Sequence, residues 1–137
     1  MQDPIELRKL LRSHYGSETL YRHPPMRRFT YTEGVRAFAE SAGGGAHWHL
    51  DIIATESDIA RALRSEGFLV VDLDVSPEGG ATITVASDKR GDGAYEGVAF
   101  FRDISWTDCP PGLWDFYLAE NELDEGEVAT LLLTSEY

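Results

Sequence analysis

The sequence predicts an α+β fold, with N-terminal helices packed on one face of a C-terminal antiparallel sheet of about four to five strands. Three observations predict it. Apolar residues recur at helical spacing up to about residue 66. From about residue 67 onward, β-branched and aromatic residues alternate with polar ones. Turn signals at Pro77-Glu78-Gly79-Gly80 and at Lys89 to Gly93 cut the second half into short pieces. With 137 residues, 42% hydrophobic and 11% aromatic, the chain has the core material of one domain. That domain spans 1–137, with a helical half of about 1–66 and a β half of about 67–137.

The elements follow in order. Ile5, Leu7, Leu10 and Leu11 fall mostly on one helical face, so a helix runs to about His14 and ends at Gly16. Pro24-Pro25 makes 21–25 a loop, and Phe29 to Tyr31 a short extended piece. Thr32 is the N-cap of the next helix, which has Glu33 in its first turn and buries Val35, Phe38, Ala39 and Ala42. Gly43-Gly44-Gly45 stops it. His47 to Thr55 fits helix or strand. Ser57 caps a helix from Asp58 to Ser65, with Ile59, Ala62 and Leu63 inward. Phe68–Val75, Ala81–Ser87 and Ala94–Arg102 read as strands, and Cys109-Pro110-Pro111-Gly112 breaks the chain. Leu113–Ala119 and Val128–Leu133 read as strands or short helices around an acidic turn, Glu120 to Glu127.

Charge is distributed unevenly along the chain. Residues 1–64 hold 9 Lys and Arg against 8 Asp and Glu, a net of +1; residues 65–137 hold 3 against 16, a net of −13. After Arg102 there is no basic residue. Stacking like charge on one part of a molecule is costly, so the asymmetry points to a basic partner and excludes nucleic acid as a direct ligand of this half. The sequence has no 18-residue apolar run and no basic n-region followed by an apolar stretch, which predicts neither a membrane span nor a signal peptide. A single cysteine, Cys109, excludes an internal disulfide and suits a reducing cytoplasm.

Four groups of residues bear on function. In a strand, His47, His49 and Asp51 share a face, a plausible metal-ligand set; in a helix His47 and Asp51 do. The alternative is polar surface or core side chains, and the expectation is no metal and no cofactor. Cys109 with a histidine is a conceivable nucleophile and base, but free cysteine is usually a small buried hydrophobe, and no enzymatic activity is expected. Arg22, His23, Arg27 and Arg28, interleaved with Tyr21, Phe29 and Tyr31, have the composition of a single-strand binding patch, or else bridge to the protein's own acids. The fourth group is the strongest. Asp72, Asp74, Asp103, Asp108, Asp115, Glu120, Glu122, Asp124, Glu125 and Glu127 form an acidic surface for a partner. Alternate residues on a strand face are about 7 Å apart, close to the spacing of backbone phosphates, so Lys and Arg of a groove would take such carboxylates as they take phosphates.

The runs Tyr21-Arg22-His23-Pro24, Arg27-Arg28, Tyr31-Thr32-Glu33-Gly34-Val35, Ala37-Phe38-Ala39-Glu40 and Ala46 to Ala54 resemble a family of small proteins of uncharacterised function. That family is encoded by phages, plasmids and related mobile elements of bacteria. The ending Leu131-Leu132-Leu133-Thr134-Ser135-Glu136-Tyr137 resembles its C-terminus. Gly43 to Gly45 and the acid load after Arg102 depart from its usual pattern. Short acidic proteins of mobile elements include anti-CRISPR proteins that mimic DNA. The resemblance and the charge together imply an inhibitor, monomeric or a small homo-oligomer. Its expected partner is the basic DNA-binding surface of a bacterial complex, foremost a CRISPR-Cas effector subunit that reads the PAM.

Overall fold

The structure is a computed structural model in which residues 20–23, 26–42, 47–123 and 126–136 are described. Strand β1 (Leu20–His23) is followed by β2 (Met26–Thr32), then by α1 (Glu33–Ser41), α2 (His47–Thr55) and α3 (Ser57–Glu66). Five strands follow: β3 (Phe68–Val75), β4 (Ala81–Lys89), β5 (Tyr95–Ile104), β6 (Gly112–Leu123) and β7 (Gly126–Leu133). A 3-10 turn, Thr134–Glu136, ends the described chain. The helix expected near 5–14 lies outside the described residues.

All strands join one seven-stranded sheet in the order β1-β2-β7-β6-β3-β4-β5. The fold is α+β as expected, with three corrections. The sheet has seven strands rather than four to five, and it is mixed: β2 runs parallel to β7, with Phe29 opposite Ala129 and Tyr31 opposite Leu131. The helices are also mid-chain, because β1 and β2 precede them. The reason lies in residues 20–32, where Tyr21, Phe29, Thr30, Tyr31 and Thr32 favour a pleated surface. The two strands pair from Leu20↔Thr32 to His23↔Met26, with a register irregularity between Arg22 and His23.

One sheet face is covered. Leu69, Val71 and Leu73 of β3, Ile83 and Val85 of β4, Trp114, Phe116 and Leu118 of β6, and Leu131 of β7 meet Val35, Phe38, Leu50, Ile53, Ile59 and Leu63 of the helices. The same-face alternation of each strand supplies this core. The three helices all lie on that side, so the opposite face is left without a helical layer among the described residues.

Two helix termini show how sequence fixes the layer. Thr32 caps α1 as expected, its Oγ1 accepting from the Val35 N–H at 3.4 Å. Glu136 completes that cap from the far end of the chain. Its carboxylate accepts the Thr32 hydroxyl at 2.5 Å, the Gly34 N–H at 3.2 Å and the Leu133 N–H at 2.9 Å. The α3 helix begins at Ser57 with Glu56, not Ser57, in the capping position, and ends at Gly67 with φ 77, the left-handed conformation that glycine adopts without strain. The ambiguous segment 47–55 is a helix.

Candidate acidic interaction face

The uncovered sheet face collects aspartates by register. Asp74 on β3 lies opposite Thr82 on β4, which lies opposite Asp103 on β5. In the next row, Asp115 on β6 lies opposite Asp72, Asp72 opposite Thr84, and Thr84 opposite Phe101. Asp74, Asp103 and Asp115 are exposed. Two strand spacings place Asp74 and Asp103 on the order of 10 Å apart in one row.

Asp72 differs from its neighbours, because it is buried at 1% exposure. Lys89 Nζ lies 2.8 Å from Asp72 Oδ2, and the Tyr95 hydroxyl donates to the same oxygen at 2.6 Å. The Lys89 ammonium also sits 5.5 Å from the centre of the Tyr95 ring. Burial, then the hydrogen bond and charge of Asp72, then the charge of Asp74, raise the Tyr95 hydroxyl well above its ordinary value. It therefore stays a donor. Like charges opposite one another on neighbouring strands are destabilising, and Lys89 offsets this for Asp72 beside Asp115. Asp72 thus holds the sheet face together and offers no free carboxylate to a partner. In the sequence, Asp72 and Asp74 look equivalent; only the tertiary position of Lys89 separates them.

The remaining acids lie elsewhere. Glu120 and Glu122 belong to β6 and Glu127 to β7, with Glu122 opposite Glu127. The expected turn of 120–127 is therefore shorter, and Asp124 and Glu125 fall outside the described residues. Pairing of β3 with β6 stops at Phe68↔Ala119, so this hairpin extends past β3. Glu120 continues the series of Trp114, Phe116 and Leu118, opposite in parity to Asp115. Asp108 is half-buried in the loop after β5. The eight of these acids among the described residues therefore belong to a sheet face, the β6–β7 hairpin and a loop rather than to one surface.

The other candidate groups are dispersed. His49 is fully buried between the rings of Phe38 and Phe116, while Asp51 on the same helix is exposed. Neither His49 nitrogen has a hydrogen-bond partner among the described residues, and burial lowers its pKa from 6.5 to about 4. It is a neutral core ring. No group of three His, Cys, Asp or Glu side chains among the described residues is placed to hold a metal. Cys109 is buried, and its thiol is pushed up to about 12, first by burial and then by the charge of Asp108. A thiol so far from ionising is a poor nucleophile. The side chains of Arg22, His23, Arg27 and Arg28 lie outside the described residues.

Sequence reasoning missed the exposed apolar side chains Val98, Phe101 and Trp106, at 53%, 58% and 67% exposure. The run Val98-Ala99-Phe100-Phe101 reads as a strand whether central or peripheral, so its position at the sheet's edge leaves no local signal. Among the described residues no helix is long and apolar enough to cross a membrane. A family model described as "Family of unknown function (DUF6876)" matches residues 5–137. No curated protein and no solved structure matches the chain.

Proposed function

We propose that this chain, which belongs to the DUF6876 family of unknown function, is a non-catalytic inhibitor that occupies the DNA-binding groove of a bacterial protein complex as an acidic DNA mimic. The partner in this reading is the basic, PAM-reading surface of a CRISPR-Cas surveillance complex in the bacterial cytoplasm. The observation that supports it is the net charge of −13 on residues 65–137 together with the exposure of Asp74, Asp103 and Asp115 on one uncovered sheet face. Groove lysines and arginines would take these carboxylates in charge-assisted hydrogen bonds, as they take phosphates. The sheet itself would exclude the duplex by volume. Glu120, Glu122 and Glu127 on the β6–β7 hairpin, with Asp108, Asp124 and Glu125, extend the negative field that speeds encounter.

The test is competition. Purified surveillance complexes of defined type are mixed with labelled target DNA and this protein at rising salt. Inhibition is expected, weakening about tenfold or more as NaCl rises from about 50 to about 200 mM. Asp74→Lys with Asp115→Lys should abolish it, and Glu122→Lys with Asp124→Lys and Glu125→Lys should slow association. Unchanged DNA binding by every complex would sink the CRISPR partner. Inhibition instead of a transcription factor or nucleoid protein would keep the mimicry and change its target. Inhibition that survives both sets of reversals would end the acidic-surface account.

A further inference from the structure

Strand β5 ends the sheet: β4 pairs with it on one side, and no described strand pairs with it on the other. An unpaired edge is a row of backbone donors and acceptors that another extended chain can complete. The ladder skips Ala99, since Val85 pairs with Phe100 and Ala86 with Val98. This bulge re-aims the strand, so that Val98 and Phe101, three residues apart, both fall on the face that carries Asp74, Asp103 and Asp115. At 53% and 58% exposure they form an uncovered apolar pair beside an acidic row.

At the C-terminal end of β5 lies a hollow of about 520 Å³, between α2 and the following loop, with Trp48, Ile52, Trp106, Asp103 and Asp108 among its lining residues. The loop is pinned, because the Thr107 N–H donates to the Gly79 carbonyl at 2.8 Å. The Trp106 indole lies so close over Gly79 that a Cβ there would meet it at 2.9 Å. Trp106 is therefore held in place while remaining 67% exposed. Indole faces beside carboxylates attract a cationic side chain. Arg102, which also lines the hollow, is directed to Glu56 at 3.9 Å.

We infer that the free edge of β5 docks an extended, basic segment of a partner protein. The segment pairs with Phe100–Ile104 as a further strand and sets apolar side chains on Val98 and Phe101. It places one Lys or Arg between the indoles of the hollow, beside Asp103. The inference rests on the reading above only in taking the partner to be basic. A second copy of this chain is the poorer occupant, because each copy carries a net charge of −12 and the two repel.

The probe is a short acetylated peptide of alternating Arg and Val, titrated calorimetrically into the full chain. Its control is the same peptide with every second amide N-methylated, which keeps the charge and cannot complete a strand edge. The parent peptide should bind about tenfold or more tighter than the control. Trp106→Ala and Asp103→Asn should each weaken it by about fivefold or more. Glu40→Gln, exposed on α1 and away from the edge, should leave it unchanged. Equal binding of the two peptides, or binding indifferent to Trp106→Ala, overturns the proposal. So does a concentration-dependent dimer that Phe101→Lys dissolves, since the occupant is then a second copy. Failed DNA competition with intact peptide binding sinks the DNA mimic alone; intact competition with failed peptide discrimination sinks the edge alone.

Discussion

His49 is an imidazole with neither nitrogen satisfied among the described residues, sealed among the rings of Phe38, Trp48 and Phe116. Burying a polar group without a partner is costly, so His49→Leu should stabilise the fold by about 1–2 kcal/mol in urea unfolding. The same ring gives a pH dependence. Its folded pKa of about 4 lies below the ordinary 6.5, so the unfolded chain binds the proton more tightly. Stability is complete above pH 6.5 and falls between 6.5 and 4, by on the order of 3 kcal/mol for this group. Other groups titrate in that window, so the difference between native protein and His49→Leu isolates the ring. If the two stability curves stay parallel from pH 7.5 to 4, His49 is not the cause. Asp72 gives the converse case at one oxygen: Oδ2 meets Lys89 and Tyr95, while Oδ1 is buried with no partner among the described residues. Lys89→Met strands its carboxylate, and about 3 kcal/mol of stability should be lost. Adding Asp72→Leu should restore most of that, and failure to do so would show that Lys89 acts elsewhere.

Among the elements, α1 shows the longest reach. Its cap is made by Thr32 locally and by Glu136 about a hundred positions on, which joins the start of α1 to the terminal turn Thr134–Glu136. Gly34 permits the approach, since a Cβ there would meet Leu133 Cδ1 at 2.6 Å and Glu136 Oε1 at 2.7 Å. Gly34→Ala should therefore cost about 2 kcal/mol through overpacking, read as a lowered thermal midpoint. An unchanged midpoint would mean the terminal turn yields freely. The local half of this device was legible in the sequence: Thr32 before a helical stripe announces a helix start, and β3, β4 and β5 follow from alternation and turn signals. In the sequence Glu136 is one more acid, because nothing near it marks its partners. The parallel pairing of β2 with β7 escaped for the same reason. It joins residues about a hundred apart, and neither strand's own residues specify a neighbour. Of the candidate site, the acids were legible as a composition. Their division was not, because burial of Asp72 and the parity of Glu120 depend on register.

For the whole molecule, salt should act with opposite signs on folding and on binding. The net charge of −12 is compressed when the chain folds, and it is concentrated in the half that builds β3 to β7. Among the described residues, several internal pairs that relieve it are exposed: Arg36 with Glu40, Arg61 with Asp58, and Arg90 with Asp92 and Glu96. Such pairs contribute little each. Self-repulsion therefore survives in the folded state, and screening should relieve it. The thermal midpoint should rise by a few degrees, on the order of 1 kcal/mol of added stability, as NaCl goes from about 10 to about 300 mM. Over the same range, affinity for a basic partner should fall, because there the charge is attractive. The two slopes should also share residues. Asp74→Lys with Asp115→Lys should flatten both the rise in midpoint and the fall in affinity, since each follows from the same exposed carboxylates. A midpoint that declines with salt would mean that attraction within the molecule outweighs repulsion. A flattened affinity slope beside an unaltered midpoint slope would mean that the sheet-face carboxylates meet the partner while the hairpin and loop acids carry the strain of folding.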